Sequence, residues 1–311
     1  MTSYLMMFPG QGSQSVGMGS NILSDFPSTK LIFEEAEDAI SHPIRKLCLS
    51  GPKEELELTE NQQPCILTLS VAIWSVIKEE SAAGSANLFA GHSLGEYSAL
   101  VASGKLSFSH AVQLVRKRGQ AMQEAVPKGK GAMAAVIGLK SEELVKLCSN
   151  LSEKLGQIVE VVNFNSPAQQ IISGEKFAVE QLCENLGKDG IKTVALPVSA
   201  PFHSSLMKPA RLKMTPLLEN TRISPGTGQV IANLTGDIED PYSSNLLISQ
   251  IDKPVLWTKT MGTAHNNGAD TFVEVGPGKV LFGLARRCLP KGQKILHTED
   301  LKQTLTKLNS L

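Results

Sequence analysis

The sequence predicts an α/β protein in which a parallel-sheet domain is interrupted by a small α+β unit. Three observations carry that expectation. Short apolar runs at 4–8 and 88–90 and a strand-like stretch at 271–275 each stop at glycine or proline and alternate with segments of helical length, the order that builds a parallel sheet. Between 131 and 198 the texture changes to β-α-β-β-α-β, the split βαβ pattern of a ferredoxin-like unit. With 311 residues, the chain is long enough to bury roughly 75% of its unfolded surface without staples. The expected division is a discontinuous larger unit of 1–128 and 201–311 around an insert of 129–200.

Taken in order, 4–8 reads as a buried strand stopped by Pro9-Gly10, and 31–40 and 66–77 have helical length. Residues 88–90 form a second short strand ending at Gly91. A helix over 93–103 is closed by Gly104, and Ser109 caps a further helix running to about Glu124, broken by Pro127, Gly129 and Gly131. In the insert, strands at 132–138, 158–163, 169–173 and 191–198 alternate with helices at 141–155 and 176–186. The larger unit resumes after Pro201, with a strand at 230–234, a helix at 259–266, and a strand at 271–275. That last strand leads through Gly276-Pro277-Gly278 into another helix. A cleft between two such lobes is the expected ligand site.

Composition narrows the function. Lys plus Arg and Asp plus Glu are 30 each, a net charge of zero. That balance argues against general nucleic-acid or membrane-surface binding, both of which need a positive excess. The five cysteines, Cys48, Cys65, Cys148, Cys183 and Cys288, contain no C-x-x-C, so neither a zinc knuckle nor a disulfide framework is indicated. No metal-ligand spacing and no P-loop occurs. The start of the chain has no Lys or Arg before Lys30 and lacks a signal-peptide plan. The stretch 61–77 is too short and too rich in Gln, Ser and Thr to span a bilayer. A cytoplasmic location is expected.

The chemistry concentrates in a few residues. Gly91-His92-Ser93-Leu94-Gly95 matches G-x-S-x-G between a short strand and a helix, the setting of a nucleophile elbow. An ordinary helix-capping serine is the competing reading; the strand-turn-helix context favours Ser93 as nucleophile. Six histidines compete to be its base. His92 adjoins Ser93 and should leave the turn in another direction, and His110 opens a helix. His203, at the second crossing between lobes, leads His265 and His297. The only aspartate between Ser93 and His203 is Asp189, so a Ser–His dyad fits better than a triad with an intervening acid. Arg118 falls on the apolar stripe of Ala111, Leu114, Val115 and Met122, away from Arg116 and Lys117. An arginine at a stripe's edge reaching water is the ordinary reading. A guanidinium facing inward near Ser93 would need an anion, and a substrate carboxylate would supply it. The loop Phe8-Pro9-Gly10-Gln11-Gly12-Ser13-Gln14 fails as a dinucleotide site because Ser15 replaces the third glycine. It reads instead as a loop bringing a backbone amide near the nucleophile.

These motifs together resemble the malonyl-CoA:acyl carrier protein transacylase family over nearly the whole chain. The resemblance rests on the 8–14 loop, Gly91-His92-Ser93-Leu94-Gly95-Glu96-Tyr97, Arg116-Lys117-Arg118-Gly119 and Val162-Asn163-Phe164-Asn165-Ser166-Pro167. Pro201-Phe202-His203, Gln250 before Pro254-Val255, and Glu274-Val275-Gly276-Pro277-Gly278 complete it. It implies a hydrolase-like parallel-sheet core with an inserted ferredoxin-like subdomain. It implies Ser93 as nucleophile, His203 as base, and the Gln250 carbonyl orienting the imidazole. Amides of Gln11 and Leu94 would form the oxyanion hole, and Arg118 would grip the malonyl carboxylate. Malonyl-CoA and acyl carrier protein are the implied partners, with no cofactor, and a monomer is expected. Phe202 departs from the smaller residue many bacterial members carry and resembles malonyl-selective polyketide modules, which implies exclusion of an α-methyl branch. Arg286, Arg287, Lys291 and Lys294 lie within nine residues free of acid and are expected either to steer an acidic carrier protein or simply to be a solvated helix end. A serine hydrolase or thioesterase, a polyketide-type acyltransferase and a non-catalytic docking subunit are the competing classes.

Overall fold

The structure, a computed structural model, describes residues 3–198 and 200–311. Its strands are β1 (Tyr4–Phe8), β2 (Leu88–Gly91), β3 (Gly131–Ile137), β4 (Val159–Ser166), β5 (Gln169–Glu175), β6 (Lys192–Ala195), β7 (Gln229–Ile231), β8 (Ile238–Glu239), β9 (Thr271–Glu274) and β10 (Lys294–His297). One sheet has the order β10-β9-β1-β2-β7-β8. All its pairings are parallel except that of β8, which lies antiparallel on the edge. The other has the order β4-β5-β3-β6 and is antiparallel throughout. The fold is therefore a parallel-sheet core with a separate antiparallel-sheet subdomain.

The central strand shows why an unbroken apolar run forms a parallel strand. Tyr4, Met6 and Phe8 enter the core on one face of the sheet, and Leu5 and Met7 enter the core on the other. A strand covered on both faces reads as continuous hydrophobicity rather than alternation. The second sheet has its own core on Val136, Leu144, Val161, Ile172 and Leu182. It is tied to the first through β4: Val255 N–H donates to Val162 O at 2.8 Å and Phe164 N–H to Val255 O at 2.9 Å.

Several elements differ from the sequence reading. The helix expected at 66–77 spans Thr59–Glu80 and contains Pro64. Proline frees the carbonyl four residues back, and here Glu60 O accepts from Arg116 Nη1. The helix expected from Ser93 begins at Gly95, and the next spans Phe108–Glu124 with Ser107, not Ser109, before it. The strand expected at 191–198 stops at Ala195, just short of Pro197, which has no N–H to give a ladder. The Lys208–Glu219 and Ser244–Gln250 helices, β8 and β10 were not foreseen. Gln250 closes the Ser244–Gln250 helix, and the site depends on that position.

Candidate active site

The carboxyl ends of β1 and β2 lie side by side, with Phe8 paired to Gly91. His92 N–H donates to Phe8 O at 2.9 Å, so the 9–14 loop and the elbow leave the sheet together. The turn's strain sits on Ser93 itself, at φ 53°, a left-handed conformation costly for a residue with a Cβ. The motif's glycines serve close contact rather than a left-handed backbone, since neither Gly91 nor Gly95 has positive φ. A Cβ on Gly91 would lie 1.9 Å from the Gly95 carbonyl, and one on Gly95 2.0 Å from Phe8 O. They are small so that strand, turn and helix can touch. Asn233, just past β7, clamps the turn: Ser93 N–H donates to its Oδ1 at 2.6 Å, and its Nδ2 donates to Gly91 O at 2.5 Å.

Ser93 Oγ lies 2.7 Å from His203 Nε2, and His203 Nδ1 lies 2.8 Å from Gln250 O. The last carbonyls of a helix lack intrahelical donors, which is why the end of the Ser244–Gln250 helix can accept from an imidazole. With Nδ1–H donating there, Nε2 faces the serine hydroxyl as acceptor. His203 also has positive φ, 61°; strain of this kind concentrates at functional sites. Burial, then the Arg118 cation, push its imidazole down to about 3. The imidazole is neutral throughout the physiological range.

Arg118 is completely buried. Its Nη1 donates to Gln63 Oε1 at 2.9 Å, and its Nη2 donates to Ser93 Oγ at 3.1 Å and Gln250 Oε1 at 2.9 Å. The guanidinium carbon stands 5.7 Å from the Tyr97 ring centre, within cation–π range. Every direct hydrogen-bond acceptor is neutral. A carboxyl group lies one residue further on: Gln250 Nε2 donates to Glu96 Oε2 at 2.5 Å and to Ser93 O at 2.9 Å. Glu96 Oε1 accepts from Asn233 N–H at 3.0 Å and Tyr242 Oη at 2.6 Å.

The structure thus brings Ser93, His203, Arg118 and Gln250 into one contact group. Gln11 and Leu94 flank it, and among the described residues neither backbone amide has an intramolecular acceptor. Phe202 lines an adjoining cavity of about 200 Å³ with Gln11, Gln62, Leu196 and Val198. His92 turns away, its Nε2 2.8 Å from Asn165 Oδ1 on β4, joining the elbow to the second sheet. Arg286 and Arg287 occupy the last turn of the Val280–Cys288 helix, and with Lys291 and Lys294 they are exposed. Gln63, Asn233, Glu96 and the Gln250 side chain were missed as functional residues. Glu96 and Gln250 stood inside quoted motifs; Gln63 and Asn233 left no local pattern.

Among the described residues no group of three or more His, Cys, Asp or Glu could hold a metal ion, and no helix is long and apolar enough to cross a membrane. A family model described as the acyl transferase domain matches residues 5–301. The chain belongs to that family. This acyltransferase is 42% identical over 300 residues to the malonyl CoA-acyl carrier protein transacylase of Haemophilus influenzae, covering 95% of each chain. It is 43% identical to that of Escherichia coli over 92% of this chain and 93% of the other. Among solved structures it is similar to a malonyl-transacylase in complex with its type II PKS acyl-carrier protein. The TM-score there is 0.93 at 40% identity, covering 100% of both chains.

Proposed function

We propose that this acyltransferase moves a malonyl group from malonyl-CoA to the phosphopantetheine thiol of an acyl carrier protein in fatty-acid biosynthesis, through a malonyl ester on Ser93. The observation that carries the substrate is Arg118, a buried cation 3.1 Å from Ser93 Oγ with only neutral direct acceptors. A carboxylate on the acyl group, two bonds from the reacting carbonyl, would replace them with a bidentate pair. The named relatives support the same reading, and their carrier-protein partner comes to this chain with it.

In the first half-reaction Ser93 Oγ attacks the thioester carbonyl while His203 Nε2 takes its proton. The Gln11 and Leu94 amides receive the developing oxyanion, with the partial positive charge of the Gly95–Ala102 helix behind them. The tetrahedral intermediate breaks its C–S bond and His203 returns the proton to coenzyme A sulfur. The second half repeats these steps with the phosphopantetheine thiol as nucleophile and Ser93 as leaving group. A thioester becomes an ester and then a thioester, so neither ATP nor a cofactor is needed. Pairing Arg118 with the malonyl carboxylate also relieves the positive field that weakens His203 as a base. Phe202 beside Gln11 would crowd an α-methyl branch. The exposed run Arg286, Arg287, Lys291 and Lys294 would attract an acidic carrier protein at long range.

A serine hydrolase would use the same dyad but has no need of the buried guanidinium. Arg118→Ala separates the two. Acylation by malonyl-CoA should fall about 10²-fold, equivalent to losing one buried charge pair, while a neutral fluorophosphonate still labels Ser93. An unchanged preference for malonyl-CoA over acetyl-CoA in that variant would remove the carboxylate clamp from the account.

A further inference from the structure

Arg118, Gln250 and Glu96 form a sealed chain in which the cation and the anion are separated by one amide. Gln250 turns its oxygen to Arg118 and its nitrogen to Glu96. Both ends are buried, Arg118 completely and Glu96 to within 1%. A buried guanidinium needs compensating charge, and Glu96 is the carboxylate that the structure sets against it. With His203 neutral, the empty pocket balances at one positive and one negative charge. Malonyl brings a second carboxylate and no second cation.

We propose that Glu96 is the resting counter-ion of Arg118, and that it takes up a proton when the substrate's carboxylate arrives to replace it. This rests on the malonyl reading above and goes beyond it, because it makes Glu96 a residue that tunes the enzyme's preference for charged over neutral acyl groups. The surroundings say where the proton goes. Three groups donate to Glu96: Asn233 N–H, Gln250 Nε2 and Tyr242 Oη. The first two cannot accept in return, whereas a tyrosine hydroxyl both donates and accepts. An Oε1–H bond formed with a proton from the buffer therefore points to Tyr242 Oη, 2.6 Å away, and the phenol proton turns aside.

The other titratable groups around the chain leave the neutral range to Glu96. Burial raises Glu96 to about 7, partly opposed by Tyr242, Asn233, Gln250 and Arg118. Tyr97, on the same helix, is pushed up to about 12 by burial. Tyr242 is raised by burial and by Glu96, with Glu239 of β8 adding to it. His203 and, on the elbow, His92 are both lowered by burial. A second carboxylate at Arg118 disfavours charge on Glu96, so protons are bound as malonyl binds.

The test is proton uptake by the wild-type enzyme near pH 7.5 in weakly buffered solution with an indicator dye, mixing excess enzyme with malonyl-CoA or acetyl-CoA. Coenzyme A is released in both cases and cancels. Malonyl-enzyme formation is expected to take up about half a proton per site more than acetyl-enzyme formation. In Glu96→Gln that excess should vanish. The wild-type malonyl-to-acetyl ratio of kcat/KM should drop about tenfold from pH 7 to 9, and in Glu96→Gln it should stay level. Equal proton uptake for the two donors overturns the inference, and the wild-type comparison decides it even where Glu96→Gln folds poorly. Absence of any malonyl group on wild-type Ser93 would instead overturn the functional reading beneath it.

Discussion

Arg118 and His203 show how two side chains can each look wrong for their task and be right together. A histidine base near its ordinary pKa would lose activity as pH falls toward 6. Burial and the Arg118 cation take His203 down to about 3 instead, so protonation of the base is displaced far into acid. The sign is that of a group whose charged form is disfavoured: above about 3 it is neutral and able to accept. Labelling of free Ser93 by a neutral fluorophosphonate is accordingly expected to stay level from about pH 5 to 8, whereas a fall centred near 6.5 would show that His203 titrates normally. Ser93 and His203 were legible from the sequence because G-x-S-x-G and the crossing between lobes are local signals. Arg118 was legible because a charge on a helix's apolar stripe stands out against 3.6-residue periodicity. The three acceptors of Arg118 were not legible as a group. Gln63, Ser93 and Gln250 come from different elements, and no spacing in the chain records that they converge.

The elements around the elbow are held by contacts rather than by propensity. The end of β7 delivers Asn233 to both sides of the turn, offsetting a left-handed Ser93 that costs about 1–2 kcal/mol. Asn233→Ala is expected to lower stability by about 2 kcal/mol, from two buried hydrogen bonds. Ser93 labelling by the neutral probe should slow with it, while the Arg118-dependent preference for malonyl persists in whatever acylation remains. Unaltered labelling would mean that the glycines and the helix hold the turn without Asn233. The strands β1 and β2 were readable because unbroken apolar runs stopped by proline or glycine have few alternatives, and β9 because it runs straight into Gly276-Pro277-Gly278. The two-residue β8 carries too little sequence to register, and β10 opens on Lys294 and closes on His297, which leaves only Ile295 and Leu296 as an apolar signal. The Gly95–Ala102 helix was placed two residues early, since a serine before a helix looks like a cap until its backbone is seen to be left-handed.

At the scale of the whole molecule, the two sheets meet through β4, by its backbone bonds with Val255 and by Asn165 with His92, so the turn that carries Ser93 is braced by the second sheet. The β-α-β-β-α-β order made that insert visible, because periodicity changes where it begins. Net charge of zero conceals one cation buried against Ser93 and one exposed basic run. Both bear on the same experiment, the intact mass of the enzyme after mixing with malonyl-CoA and then with carrier protein. One malonyl group should appear on the wild-type chain, be absent in Ser93→Ala, and move to the carrier protein on its addition. Reversing Arg286 and Arg287 should slow only that second step. A wild-type chain that gains no malonyl group, or one that loses it to water without loading the carrier protein, would contradict the account.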